Sequence, residues 1–265
     1  MRAVIVPIAL MQTATPARCQ DAARARSIAL VEELVRAMLI SVIIPALNEA
    51  GRLPGLIASL RAEPVATDII VVDGGSEDAT REAAIRSGAV VLDAPRGRGQ
   101  QLAAGCAAAR GDVLLQLHAD TQFPQGGLAA VKAALEADPE TLGGNFRIVF
   151  DGDTDFARWL TGFYAWFRGH GLYYGDSGIF VRRRVYEELG GIRPIAVMED
   201  LDFSRRLERA GETVCIEEPA IASSSRRFDG RKPWRIVSGW IVMHALYYLG
   251  VSPDRLAVLY NSARR

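Results

Sequence analysis

The chain has 265 residues, 49% of them hydrophobic, enough to bury the core of one large or two small domains. Lys plus Arg and Asp plus Glu number 31 each, so the formal net charge is +0 and no overall field draws the chain toward nucleic acid. Its three cysteines, Cys19, Cys106 and Cys215, lack paired metal-ligand spacing; the latter two sit in patterns that suit small core residues, and a reducing cytosol is the expected compartment.

Taken in order, Arg2 and the apolar residues up to Met11 faintly resemble a signal peptide, but the charged region is minimal and Pro7 interrupts the apolar one. An Ala/Arg-rich stretch comes next, with helical spacing at Ile28, Val31, Leu34 and Val35. Residues 1–37 are therefore expected to be an appendage to a domain over 38–230, with a helical extension over 231–265 packed on or beside it. No other segment offers an uninterrupted apolar run long enough to span a bilayer.

The domain opens on a buried strand at 39–45, then a helix carrying Leu53, Leu56, Ile57 and Leu60, with Pro54 near its first turn. A second strand at 68–73 precedes a helix at 77–86 that Gly88 ends. A short strand at 90–92 and a helix at 100–110 lead to a fourth strand beginning at Asp112. Strands and helices alternating at this spacing predict parallel βαβ units. Further on, 128–135 reads as a helix, 143–150 alternates like an antiparallel strand, and 155–168 reads as an aromatic-rich helix. The rings of that helix suit a core, or together with Tyr173 and Tyr174 a wall for an acceptor. A strand at 178–181 feeds Arg182-Arg183-Arg184. Then come a helix at 199–209, a last strand at 213–216, an apolar helix at 234–249, and Ser252-Pro253-Asp254 as the start of another.

Polar clusters stand where these strands end: Asn48/Glu49, Asp73, His118/Asp120/Gln122 and Glu199/Asp200/Asp202. Ligands of open α/β sheets bind beyond the carboxyl ends of strands, so these groups are expected to converge on one crevice. His118, Asp120 and Gln122 alternate, and an extended exit from the fourth strand would aim all three one way. An imidazole, a carboxylate and an amide oxygen there suit a divalent cation or a ribose; the plainer alternative is a strand end with a helix cap. Arg96-Gly97-Arg98-Gly99 is a cationic, glycine-bearing helix start that suits a diphosphate. It is neither a GxxxxGK[ST] loop nor GxGxxG, against a P-loop NTPase or a standard dinucleotide site. Asp200, between two other acids, is expected to have a raised pKa, whereas the plain alternative for this trio is a charged helix N-terminus.

Five stretches together resemble glycosyltransferase family 2: residues 41–49 (SVIIPALNE), 71–80 (VVDGGSEDAT), His118-Ala119-Asp120-Thr121, 175–181 (GDSGIFV) and Met198-Glu199-Asp200-Leu201-Asp202. The likeness runs from about residue 39 to the C-terminus. Within the family it is most similar to the bacterial radical-SAM/selenodomain-associated transferase 2 group, which Arg226-Arg227-Phe228 and Leu249-Gly250-Val251-Ser252-Pro253 also match.

That resemblance implies a GT-A fold: a Rossmann-like, mostly parallel α/β sheet flanked by helices. It implies hexosyl transfer from a nucleotide-diphosphate-sugar to an acceptor hydroxyl, with inversion. Pro45, Asn48, Glu49, Asp73, Arg98 and His118 would bind the donor, with Glu49 and Asp73 at the nucleoside and Arg98 near ribose or diphosphate. Asp120 would hold Mg²⁺ or Mn²⁺, with Gln122 as a further ligand. Asp200 would be the general base beside Glu199, and Tyr174, Gly175, Asp176 and Arg227 would lie on the acceptor side. The family commonly has Asp-x-Asp where this chain has His118-Ala119-Asp120. The imidazole supplies no hard anionic oxygen, so diphosphate oxygens would complete a Mg²⁺ shell, or Mn²⁺ would be preferred.

Two competing functions are a sugar nucleotidyltransferase, which would want a Gly-rich, Lys-bearing signature after the first strand, and a metal-deficient nucleotide-sugar-binding protein. Arg226, Arg227, Arg231, Lys232 and Arg235 lead into the 234–249 helix, whose apolar and aromatic residues suit either the cover of the sheet or a membrane surface. The second choice would place the protein peripherally at the inner face of the membrane, with a hydrophobic, lipid-linked acceptor.

Overall fold

The computed structural model describes residues 38–223 and 233–262, and Met38–Arg265 form one compact unit. The expectations for residues 1–37 and for Arg226, Arg227, Phe228, Arg231 and Lys232 lie outside the described residues.

Alternation of branched apolar residues with turn-forming glycines produces the predicted βαβ run. It comprises β1 (Ile40–Ala46), α1 (Leu53–Arg61), β2 (Thr67–Asp73), α2 (Thr80–Arg86), β3 (Val90–Asp93), α3 (Arg98–Ala108) and β4 (Val113–Gln116). After α4 (Gly127–Ala137) come β5 (Gly143–Phe150), α5 (Asp155–Arg168), a 3₁₀ turn (Gly175–Ser177), β6 (Ile179–Arg182) and α6 (Arg183–Glu188). The chain then forms α7 (Glu199–Ala210), β7 (Thr213–Ser223), α8 (Pro233–Tyr248) and α9 (Pro253–Ser262). Two features go beyond the sequence pattern: the short helix α6, over Arg183–Glu188, and the continuation of β7 past Ile216.

The seven strands lie in the order β3-β2-β1-β4-β6-β5-β7. Strands β1 to β4 are mutually parallel, β6 runs against both β4 and β5, and β7 is parallel to β5. Every strand but β6 thus runs one way, which is the mostly parallel, helix-flanked GT-A sheet. The antiparallel character expected of β5 is confined to two residues opposite β6. Along most of its length β5 is parallel to β7. At Gly144 an added Cβ would lie 1.9 Å from the Val214 carbonyl, so that pairing needs a glycine there.

Because strand side chains alternate, each central strand feeds two cores. Val42, Ile44, Val71 and Leu115 face the side covered by Leu53, Leu56, Ile57 and Leu60 of α1 and by Leu128 and Val131 of α4. Ile43, Val72 and Leu114 face Leu102 and Cys106 of α3 and Phe203 and Leu207 of α7. Full burial of each large side chain is worth about 1.5–3 kcal/mol, so these two layers fix the helices against the sheet. Both α3 and α7 therefore start at the carboxyl edge of the parallel strands. The reversed strand β6 begins at that same edge, since Ile179 pairs with Gln116, the last residue of β4.

Candidate active site

The site is built on Arg98, the first residue of α3. Gly97 (φ 141°) turns the chain into the helix, and Gly99 lets the loop before α7 close onto its first turn. A Cβ at Gly99 would stand 2.6 Å from the Ile195 carbonyl and 3.0 Å from that of Arg193. Met198 then enters α7 in a left-handed conformation (φ 66°), a costly backbone for a side chain with a Cβ, and delivers Glu199 and Asp200 toward Arg98. Glu199 is 1% and Asp200 4% exposed, so neither carboxylate is tolerated there without partners.

Arg98 supplies them. Its Nε donates to Glu199 Oε1, its Nη2 donates to Asp200 Oδ2 at 2.8 Å, and its Nη1 lies 3.0 Å from His118 Nε2. A guanidinium can only donate, so His118 Nε2 is the accepting nitrogen and the ring is neutral with its proton on Nδ1. The Gly175 N–H also donates to Asp200 Oδ2, at 2.9 Å. A side chain at Gly175 would meet His118 Nε2 at 3.1 Å and Asp200 Oδ2 at 3.3 Å.

These contacts divide the titrations. Burial raises Glu199 above the ordinary carboxylate range and prevails over the opposing pull of Arg98. Burial would raise Asp200 too, but Arg98 and the N–H groups of Gly175 and Leu201 outweigh it and hold Asp200 below its usual value. The raised pKa expected for Asp200 from its acidic neighbours is thus corrected: Glu199 is the raised member, and Asp200 faces donors. Asp202 takes no part, because Arg193 (3.0 Å) and Arg206 (2.9 Å) hold it on another side of α7. Burial and the charge of Arg98 lower His118.

The exits of β1 and β2 form a laced rim. Asn48, itself left-handed (φ 57°), accepts from the Glu77 N–H at 2.8 Å and donates its own N–H to Ser76 Oγ at 2.9 Å. The Glu49 N–H donates to Thr80 Oγ1 at 2.7 Å, while the Glu49 carboxylate pairs with Arg52 at 2.8 Å. Asp73 is buried and accepts from the N–H and hydroxyl of Ser76. Gln101 Nε2 donates to the carbonyls of Ala46 (2.9 Å) and Val72 (2.7 Å), tying α3 to the ends of both strands. Neither Gln101 nor His244 of α8, which meets Tyr174 of the loop before β6 at 2.7 Å, stands out in the sequence. A lone polar residue in a helical pattern gives no sign of its partner; the only available signal is the position of Gln101 one turn past the Arg98-Gly99 start.

The extended exit expected beyond β4 is a turn instead. Thr121 N–H bonds back to the His118 carbonyl at 3.1 Å, so His118 points inward to Arg98 while Asp120 is exposed. The Glu49 hydrogen bond and charge raise the Arg52 pKa, and the charge of Asp120 adds a smaller contribution to the same effect. Gln122 is exposed and its backbone bridges Ala222. Among the described residues no three His, Cys, Asp or Glu side chains gather as a metal centre. Asp120 thus offers one carboxylate, and a hard cation here would draw most of its oxygen ligands from a bound anion.

The mostly parallel, helix-flanked sheet is a GT-A fold, and an acid pair, a guanidinium and a helix N-terminus stand at its carboxyl edge. Residues 41–190 match the family described as "Glycosyl transferase family 2", and the chain belongs to that family. It is 33% identical over 111 residues to an uncharacterized glycosyltransferase of Mycobacterium bovis, covering 42% of this chain and 50% of that one. It is 39% identical over 98 residues to the undecaprenyl-phosphate 4-deoxy-4-formamido-L-arabinose transferase of Pseudomonas paraeruginosa, covering 32% and 29%. The chain thus spans half or less of the length of these curated relatives. Among solved structures, a mannosyltransferase from Pyrobaculum calidifontis, in complex with GDP-Man and Mn²⁺, superposes with a TM-score of 0.59 at 17% identity, covering 94% and 78%. Glucosyl-3-phosphoglycerate synthase from Mycobacterium tuberculosis, in complex with Mn²⁺, UDP and glucosyl-3-phosphoglycerate, gives 0.54 at 20% identity, covering 83% of each chain.

His118 carries a pH prediction. Its folded pKa lies below the ordinary value of about 6.5, so the unfolded chain binds more protons in the window between the two. Its contribution to stability is present above about pH 6.5 and is lost as pH falls through that window. Glu199 has the opposite sign, because a raised folded pKa gives stability that is kept at low pH and lost as pH rises. The urea midpoint at pH 7 minus that at pH 5 should therefore be lower in His118→Gln than in the wild type, since glutamine still accepts from Arg98 without titrating and the falling contribution of Glu199 remains.

Proposed function

We propose that the protein transfers a hexosyl group from a nucleotide-diphosphate-sugar to an acceptor hydroxyl with inversion, using Asp200 as general base. The observation that carries this is Arg98 held between Glu199, Asp200 and His118 at the start of α3. The donor diphosphate would lie at that helix start, with Pro45, Asn48, Glu49 and Asp73 of the rim at the nucleoside. Arg98, turning from Asp200 to the diphosphate, would withdraw the charge that depresses Asp200 and leave a stronger base. The acceptor hydroxyl gives its proton to Asp200 and its oxygen attacks the anomeric carbon. The bond from that carbon to the diphosphate breaks on the opposite face, and the electron pair leaves with the diphosphate. Tyr174, Gly175 and Asp176 would form the acceptor side, with the Gly175 N–H on Asp200. Asp120 would hold Mg²⁺ or Mn²⁺, which when bound neutralises the leaving diphosphate; Gln122 would join the shell only by turning back from its exposed position.

In the full chain, screened first for donor-induced thermal shift with UDP-glucose and GDP-mannose, Asp200→Asn should lower kcat about a hundredfold to ten-thousandfold with donor affinity kept. A loss under about tenfold would transfer the base role to Glu199, the other carboxylate on Arg98.

The single carboxylate at Asp120 favours a second possibility, a nucleotide-sugar-binding protein with little metal use. Donor hydrolysis with and without Mn²⁺ separates the two: Asp120→Asn should abolish the metal-stimulated part and leave the melting temperature unchanged. Equal turnover by variant and wild type at saturating Mn²⁺ would remove the metal from Asp120.

We further propose a lipid-linked acceptor at the inner membrane face, in keeping with the name of the undecaprenyl-phosphate relative. No helix among the described residues is long and apolar enough to cross a membrane, but α8 exposes Trp234 (65%) and Ile241 (63%) and carries no acidic residue. Co-sedimentation with phosphatidylglycerol vesicles at low salt is expected, and protein left in the supernatant would refute peripheral attachment.

A further inference from the structure

We propose that His244, on the C-terminal helix α8, is a positioning residue for transfer: through the Tyr174 hydroxyl it fixes the loop whose next N–H holds Asp200. This rests on the assignment of Asp200 above.

The contacts define the tautomer. His244 Nδ1 lies 2.7 Å from the Trp240 carbonyl, which can only accept, so Nδ1 carries the proton. His244 Nε2 is then a lone pair, and the Tyr174 hydroxyl 2.7 Å away donates to it. Tyr174 is thereby held at its tip by α8. Its ring stacks on Phe167 (centroids 5.8 Å, 22°) and meets Tyr164 edge-on (6.1 Å, 62°), so its side chain has one seat.

Through the next three residues that seat reaches Asp200. The Tyr174 carbonyl accepts from the Ser177 N–H (3.0 Å) and hydroxyl (2.6 Å), closing the three-residue 3₁₀ turn. The first residue of that turn, Gly175, presents its N–H to Asp200 Oδ2 at 2.9 Å. So short a turn, with a glycine at its head, has little intrinsic rigidity. Its register against Asp200 is set by the tyrosine before it. The helix that holds Tyr174 is itself braced on α7, where Arg205 lies over the Tyr248 ring at 4.8 Å. Helix α8 thus spans from the helix that carries Asp200 to the loop that bonds it, and His244 is a polar point of contact on the loop side.

A packing-only role for α8 predicts something different, because Tyr174→Phe keeps the ring and its stacking and loses only the hydroxyl. Two readouts on the full chain decide the matter. Deuterium uptake of the peptide over residues 172–178 should rise in both His244→Ala and Tyr174→Phe, and should return to the wild-type level in His244→Gln, whose amide oxygen can take the place of Nε2. In donor hydrolysis with the sugar nucleotide selected by thermal shift, each of the first two variants should lose about tenfold in kcat with donor Kd unchanged. The double variant should lose no more than either alone, as expected of two ends of one hydrogen bond. Wild-type uptake in Tyr174→Phe, or multiplied losses in the double variant, would overturn the proposal. A wild-type protein that hydrolyses no sugar nucleotide would count against the transfer function, while the uptake series still decides the anchor.

Discussion

Everything at this site depends on one guanidinium. Two carboxylates on consecutive residues at a helix start, both almost fully buried, would repel each other and suffer the cost of lost hydration without a cation between them. Arg98 provides that cation from a different helix and uses its third nitrogen on His118. Its planar fork suits this sharing; a lysine ammonium would present a point charge instead. The same contact sutures α3 to α7 across the carboxyl edge of the sheet, so the electrostatics of the site and the placement of its helices have a common origin.

The direction of β6 is the second determinant. A wholly parallel sheet would start each strand at the far edge and leave only helix starts near the crevice. By running against β4 and β5, β6 begins at the carboxyl edge and brings the Tyr174–Gly178 segment there. Gly175 can then approach both His118 and Asp200 closely enough that a side chain there would crowd them. Asp200 is consequently held by two unlike donors, the Arg98 side chain and the Gly175 backbone N–H. Only the former can leave without unfolding a turn, which is why the proposed transfer has Arg98, and not Gly175, turn to the donor diphosphate.

The two acids illustrate how little a sequence neighbour says about titration. Glu199, Asp200 and Asp202 stand within four positions, yet Glu199 is raised, Asp200 is lowered, and Asp202 belongs to a separate pair with Arg193 and Arg206. On a helix, successive residues are turned by about 100° from one another, so adjacent carboxylates meet different surroundings. Proximity along the chain suggests mutual repulsion, while the structure gives each acid its own set of donors.

The βαβ half of the fold is legible in the sequence because its signals are local: branched apolar runs for β1, β2 and β4, helical spacing in α1, glycine at the turns. The identities of the candidate groups are legible for the same reason, since polar residues that end an apolar strand stand out. Their partners are not. Nothing near Arg98 in the chain announces Glu199 or Asp200 about a hundred positions later, and nothing near Tyr174 announces His244. The turn after His118, which separates it from Asp120, and the reversal of β6 also leave no local mark, because both are settled by packing against distant segments. The sequence by itself determined which groups are present and which strand ends carry them. Tertiary structure decided which groups meet, and therefore which are charged, because contact and burial depend on distances in space that the order of residues does not contain.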